Sequence, residues 1–529
     1  MGPETVRLRW LLPACAGIVC AILVSVLGQA PGRAATVPLS IAVRGNHFVN
    51  GSGQTVGLLG VNHASFEYAC EQGWGYNDGH MNAADATAIA SWHATAVRVP
   101  LNEDCWLGIN GQPNSSDGAN PPLTMAGYRR AVEHYVSALN AAGLYVILDL
   151  HWTAPGTKVA DGQRPMPDDH SGAFWTSVAS TFKGNPAVVF DAFNEAYSPA
   201  AINDPGYPVT WDCWRNGTAN HGCLLPASNA GEPPDNHTLY SPVGMQYLVD
   251  RIRTTGATQP IMLGGLTFAN DLSQWLANEP SDPDHQLAAS YHGYQGEPCG
   301  TQSCWDSTIA PVAARVPVVT GEFGENDFDN ATCATRTPST FDTDYMNWAD
   351  QHGVSYLAWG WEPLSQQEIS DQGCRAYYLT SDISGTPAAP NGTALHDHLA
   401  ALAAGRGMPP PPRLRRFAAN VKASGTAVSF TLRASEKSTG TLSGQTAKSF
   451  GTVANKQSPH PVSLGSVRFK LAAGTSKTVA LTLSQASRML LSRQHKLTVQ
   501  ITITLTNAGR RRAVSHRTLT LTLPEHLRG

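Results

Sequence analysis

The chain has 529 residues, 14% charged and 42% hydrophobic, with 49 Gly, 36 Pro and a formal net charge of −4. That length holds two or three domains with sizeable cores, and that balance excludes a disordered or low-complexity chain. The near-neutral total hides an asymmetry: residues 413–529 carry 19 Lys and Arg against two acids, Glu436 and Glu525, so the remainder is strongly acidic.

Residues 1–35 read as an export signal, with basic Arg7 and Arg9, an apolar run over 10–28, and small-residue cleavage patterns near Ala30 and Ala34. An uncleaved membrane anchor is the alternative, because the apolar run approaches spanning length. Residues 36–404 then offer eight short apolar runs that read as strands: 57–61, 94–101, 145–151, 188–195, 260–265, 287–294, 316–324 and 355–361. Helical spacing near 3.6 separates several of them, at 84–92, 124–142, 172–182 and 244–254. Buried strands alternating with helices predict an α/β fold, a parallel (β/α)8 TIM barrel. The Gly-, Pro- and Asn-rich segment 198–240 is expected to be an elaborated loop above it.

The composition changes at 405–412, where Pro409 to Pro412 make a stiff linker. Beyond it, Trp and Tyr vanish and period-two runs appear at 427–432, 478–483, 497–505 and 518–523. This pattern predicts a small all-β, Ig-like sandwich over 413–529. Its basic residues have two readings: a solvated sheet surface, or contact with an anionic cell wall.

Eight cysteines follow the signal, an even count that suits disulfides in an exported protein. Neighbour pairing is the expectation, 70–105, 213–223, 299–304 and 333–374, although spacing alone leaves the connectivity open.

Active sites of parallel barrels lie at the C-terminal strand ends. Here those ends carry Arg98, then Asp149-Leu150-His151-Trp152, Asn194-Glu195, Tyr291-His292-Gly293-Tyr294, Glu322 and Trp359. A carboxylate directly after an apolar strand is costly unless the strand opens into a site. Two of them facing one cleft suit glycoside hydrolysis, in which one carboxyl protonates the leaving oxygen and the other attacks or activates water.

These ordered motifs, Val97-Arg98-Val99-Pro100, Leu148-Asp149-Leu150-His151, Phe193-Asn194-Glu195, His292-Gly293-Tyr294, Gly321-Glu322-Phe323-Gly324 and Ala358-Trp359, resemble glycoside hydrolase family 5. That is the cellulase and mannanase family of retaining (β/α)8 enzymes. The resemblance spans about residues 40–400. It implies Glu195 as the general acid/base, raised by a neighbouring carboxylate and partial burial, and Glu322 as the nucleophile. Arg98 and Tyr294 would hydrogen-bond Glu322. Asn194 would bond the sugar 2-hydroxyl, His151 and His292 would orient the acid/base and nearby hydroxyls, and Trp359 would floor the sugar. Each taken alone has a structural reading, as a helix-terminal acid, an ion-pair partner, a core histidine or barrel packing. Asn62, His63, Trp106, Trp152, Trp361 and Glu362 are weaker subsite candidates.

The implied protein is a secreted, monomeric β-glycosidase on a β-linked glucan or mannan, endo-β-1,4-glucanase-like first. It needs no metal or organic cofactor and binds no nucleic acid. A mannanase, an exo-glucanase and a non-catalytic polysaccharide-binding or wall-attached protein are the alternatives.

Overall fold

The computed structural model describes residues 39–115, 122–199, 206–219, 222–230, 232, 238–325, 340–364, 377–404, 414–420, 426–435, 437–450, 460–507 and 512–523. The expected signal 1–35, the linker 405–412 and the Cys333–Cys374 pair lie outside them.

Eight parallel strands close into a barrel: β1 (Leu59–Asn62), β2 (Ala96–Asn102), β3 (Tyr145–Trp152), β4 (Val188–Asp191), β5 (Ile261–Gly264), β6 (Leu287–Tyr294), β7 (Val318–Gly324) and β8 (Ser355–Ala358). Each pairs with its sequence neighbours, and β8 returns to β1. All eight are expected strands, and the helices Ala83–Ser91, Met125–Ala141, Ser171–Phe182 and Met245–Thr254 match the expected spacing. Two of these helices start at a side chain that satisfies exposed backbone donors: Asn82 accepts from the Ala84 and Asp85 N–H groups, and Thr124 from the Gly127 N–H.

Strand alternation sorts the interior into layers. Val97, Val99, Val146, Leu148, Val188 and Phe190 face the helices and join their core. Ala96, Ile147, Val189, Met262, Ala288, Val319 and Leu357 face inward and form a separate apolar floor. The same inward parity, carried two residues on, delivers Arg98, Asp149 and Asp191, and from Ala288 it delivers His292.

Glu322 breaks that parity and reaches the interior by a bulge. Tyr291 pairs with Thr320, yet His292 pairs with Glu322, so Gly321 is an extra residue in β7. A bulge re-aims the side chain that follows it. Thr320 points outward to Tyr345, and Glu322 turns into the barrel. Gly321 is needed for closeness as well, since a Cβ there would lie 2.7 Å from His292 Nε2.

Three short N-terminal strands, Ile41–Arg44, His47–Asn50 and Thr55–Val56, form an antiparallel sheet whose Ile41 and Phe48 join the apolar floor. They are absent from the expected strands.

The basic C-terminal region is a sandwich of its own. Its strands are β9 (Leu414–Asn420), β10 (Ala427–Ala434), β11 (Ser438–Phe450), β12 (His460–Leu471), β13 (Ser476–Thr482), β14 (Lys496–Asn507) and β15 (Arg512–Thr522). One sheet runs β9-β10-β13 and the other β12-β11-β14-β15, all antiparallel, around one apolar core. Compared with the seven-strand immunoglobulin constant pattern, the fourth strand has moved to the other sheet. A helix, Gln485–Gln494, capped by the Ser484 side chain, adds an element the alternating pattern did not suggest.

Three of the expected disulfides form: Cys70–Cys105, Cys213–Cys223 and Cys299–Cys304. No helix among the described residues is long and apolar enough to cross a membrane.

Candidate active site

Arg98 is the hub. Its side chain is fully buried in the barrel and spends its donors on five partners. Nε donates to Asp191 Oδ2 at 2.9 Å. Nη1 donates to Asn62 Oδ1 at 3.1 Å and to Glu322 Oε1 at 2.9 Å. Nη2 donates to Asn194 Oδ1 at 2.8 Å and lies 3.0 Å from Asp149 Oδ2. A buried guanidinium is tolerable only when paired and hydrogen-bonded this completely. Asp149, Asp191 and Glu322 together hold its proton firmly.

Glu322 receives a donor on each oxygen. Arg98 serves Oε1, and the Tyr294 hydroxyl serves Oε2 at 2.7 Å. This satisfies the carboxylate from one side and leaves it facing the barrel mouth with its side chain 7% exposed.

Glu195 follows β4 and lies in different surroundings. Oε1 is 2.8 Å from His292 Nδ1, and Oε2 accepts from Gln163 Nε2 at 3.0 Å. Burial is the first cause of its raised pKa, with Gln163 pulling the other way. Of the two expected causes, partial burial and a neighbouring carboxylate, burial supplies the shift. His292 itself is pushed down to about 3, mainly by burial, so its imidazole is neutral. Glu195, His292 and Glu322 each offer one polar atom within 4.8 Å of the others.

His151 serves the site differently from the expectation. Its Nδ1 lies 2.6 Å from Asp149 Oδ2, and Asn194 Nδ2 stands 3.4 Å from Nε2. Burial lowers His151 to about 4, so the ring is neutral. A neutral ring that donates from Nδ1 to Asp149 leaves Nε2 to accept from Asn194. Its contact is therefore with Asn194 rather than with Glu195. The ring stacks on Trp359, centroids 5.5 Å apart. Asp149 is pushed up to about 7, by burial first, with Arg98 opposing and the Glu195 charge adding.

The structure thus brings Arg98, His151, Asn194, Glu195, His292, Tyr294, Glu322 and Trp359 to one rim. Of the weaker candidates, Asn62 is spent on Arg98 and on the Gly321 carbonyl, to which it donates at 2.8 Å. Trp106 is fully buried against Tyr128, Phe174 and Phe182 and cannot touch a sugar. Trp361 is buried as well and donates to Asp85. His63 sits between Asp85 and Glu362, at 3.3 and 3.4 Å, which outweigh burial and raise it to about 10. Gln163, Asp149 and Asp191 are contributors the motifs did not assign. The strand-end position of Asp149 was visible; Gln163 sits on an irregular loop with no periodic signal.

Chemically, the rim offers one carboxyl disposed to keep a proton beside one carboxylate fixed by two donors. That pairing suits acid-assisted displacement at an acetal carbon.

The family model described as cellulase (glycosyl hydrolase family 5) matches residues 49–365. A mannan endo-1,4-beta-mannosidase of Streptomyces lividans is 23% identical over 348 residues, 65% of this chain and 71% of that protein. Among solved structures, a β-glucanase from Saccharophagus degradans aligns with TM-score 0.49 and 18% identity, covering 69% of this chain and 94% of that one. The catalytic domain of the major endoglucanase of Xanthomonas campestris aligns with TM-score 0.47 and 17% identity, covering 68% and 99%.

Proposed function

The chain belongs to glycosyl hydrolase family 5, the cellulase family, and on that premise we propose that it cleaves a β-1,4-linked polysaccharide internally, with retention of configuration. The carrying observation is the spacing of the acids: a Glu195 oxygen lies within 4.8 Å of a Glu322 oxygen. Retaining enzymes hold their carboxyls about 5–5.5 Å apart, whereas inverting ones need about 6.5–9.5 Å to admit a water.

The steps follow from the two environments. The protonated Glu195 gives its proton to the leaving glycosidic oxygen as Glu322 attacks the anomeric carbon, forming a glycosyl-enzyme. Glu195, now ionised, takes a proton from water; that water attacks the same carbon and releases Glu322. Asn194, fixed by Arg98, keeps an amide N–H for a sugar hydroxyl, and Trp359 supports the sugar's apolar face.

Endo-β-1,4-glucan hydrolysis is the leading reading, on the family named for cellulase. β-Mannan is the second, favoured by the mannosidase relative. We further propose export, supported by three disulfides in the described residues, and a wall-contact role for the basic sandwich.

Replacing Glu322 with Gln tests the catalytic assignment. Hydrolysis of barley β-glucan, carboxymethylcellulose and mannan should fall by about three orders of magnitude or more. A folded variant with undiminished turnover would sink the nucleophile role.

A further inference from the structure

Three acids and a histidine gather between the connections that follow β2 and β3, apart from the catalytic rim. Glu103 and Asp104 open the helix Glu103–Leu107, directly after β2. That turn is fixed, because the Asn102 side chain accepts from the Cys105 N–H and Cys105 is bonded to Cys70. Asp168 and His170 end the connection after β3, immediately before the helix Ser171–Phe182. An oxygen of Glu103, an oxygen of Asp104 and a ring nitrogen of His170 lie within 4.8 Å of one another. His170 also meets an Asp168 oxygen within that distance, and the Asp168 charge acts on both Glu103 and Asp104.

The three acids are fully buried, and they are not equally served. Asp104 accepts from the Ala160 N–H at 2.9 Å and from the Asn110 amide at 3.2 Å. Asp168 Oδ1 accepts from the His170 N–H at 2.9 Å. Both oxygens of Glu103 and Oδ2 of Asp168 have no hydrogen-bond partner among the described residues, although water does not reach them. Buried charge of this kind is paired, neutralised or bound to a metal. A proton neutralises one carboxyl; a divalent cation offsets two and gives each bare oxygen a partner.

His170 is disposed for the same task. Its Nδ1 lies 3.2 Å from the Ala154 carbonyl. A proton held there leaves Nε2 as the acceptor, the arrangement in which a backbone carbonyl orients a metal-binding imidazole. Its side chain is 24% exposed, which gives an ion a way in from solvent. Carboxylates alone suit Ca2+ or Mg2+, whereas adding an imidazole shifts the preference toward Mn2+ or Zn2+.

We infer that Glu103, Asp104, Asp168 and His170 bind one divalent transition-metal ion, Mn2+ or Zn2+, as a structural site. The ion ties the connection after β3 to the helix after β2. That connection also carries Gln163, whose amide donates to Glu195 Oε2 at 3.0 Å. The proposed catalysis uses no metal; the ion stiffens the loop that serves the acid. In chelator, protons replace the ion on these acids. The site stands on its own residues, and only its bearing on Glu195 rests on the catalytic reading above.

The test uses full-length protein stripped with EDTA and dialysed. Calorimetric titration with MnCl2, ZnCl2, CaCl2 and MgCl2, each alone, should give one ion per chain for Mn2+ or Zn2+, at least tenfold tighter than for Ca2+ or Mg2+. At about a hundredfold excess of the ion over its Kd, Tm should rise by about 5 °C. His170→Ala, at the exposed edge, should weaken binding tenfold or more and remove the rise while leaving Tm in chelator near the parent's. Glu103→Gln should remove the rise too. Glu322→Gln, which tests the nucleophile separately, should bind the ion as the parent does. The parent's titration needs no variant to fold: lack of a one-to-one Mn2+ or Zn2+ complex overturns the inference. So does tighter binding of Ca2+ or Mg2+, binding that survives both His170→Ala and Glu103→Gln, or binding lost in Glu322→Gln, which would put the ion among Glu195, His292 and Glu322.

Discussion

Arg98 Nη1 and Glu322 Oε1 stand 2.9 Å apart at the heart of the barrel, and the same guanidinium holds Asn194 Oδ1 at 2.8 Å. One side chain therefore mounts both the proposed nucleophile and the residue proposed to hold the sugar beside it. The mount is rigid because Asp149 and Asp191 occupy the remaining edge of the fork. A planar group with five donors can do this; a lysine ammonium cannot span the same set.

Arg98 variants should separate charge from geometry. Arg98→Met strands three carboxylates in the interior without their cation, and the loss of stability should reach about 3–5 kcal/mol or more. Arg98→Lys keeps a cation and should lose less stability, yet turnover should still fall because Glu322 and Asn194 are no longer fixed together. Denaturant unfolding read beside kcat for both variants checks the split. Equal stability of Arg98→Met and the parent would show that Arg98 is not the buried counter-ion.

Glu195 predicts the shape of the pH profile. The proposed reaction uses its protonated form, and burial raises its pKa above the usual glutamate range. Activity should therefore persist above that range and fall as pH rises through the raised value. In Glu195→Gln this basic limb should disappear, with kcat on natural polysaccharide lower by about 10²–10⁴. An unchanged basic limb in the variant would move the acid role to another group.

A second pair of buried carboxyls governs stability. Glu103, directly after β2, and Asp168, before the helix Ser171–Phe182, are both fully buried, and no cation pairs with either among the described residues. Burial, with the Asp168 charge, raises Glu103 well above its usual range. A carboxyl raised in the folded state stabilises fully below the unfolded glutamate value, and that contribution is lost as pH rises through the folded value. In chelator, the wild type should thus lose thermal stability from mildly acidic toward alkaline pH. Glu103→Gln, which keeps the shape and removes the titrating proton, should flatten the dependence of Tm on pH. Parallel Tm curves for the two proteins would show that the pair does not titrate in this window.

The sequence made the barrel legible because each of the eight strands is a short, nearly continuous apolar run, and the acids stand out at their ends. Arg98 was legible as a partner of Glu322 through the Val97-Arg98-Val99-Pro100 motif and the family resemblance it carries. The bulge at Gly321 was not, because the interior parity of a strand is visible only once its neighbour's register is known. The N-terminal sheet carried a signal of its own, the Gly45-Asn46 turn between two alternating runs, ahead of the first barrel strand. Trp106 misled for a physical reason: an indole near a strand end serves a subsite or the core equally well in sequence. Here the helix Glu103–Leu107 turns it inward. Gln163 had no sequence signal, since it reaches Glu195 from an irregular loop.

The stereochemistry of the first product tests the central claim most directly. Proton NMR during early hydrolysis of cellohexaose or mannohexaose, whichever is cleaved, reports the anomer released before mutarotation. Double displacement through Glu322 with Glu195 as acid/base predicts the β-anomer first. Release of the α-anomer first would contradict it and assign the two carboxyls to an inverting reaction.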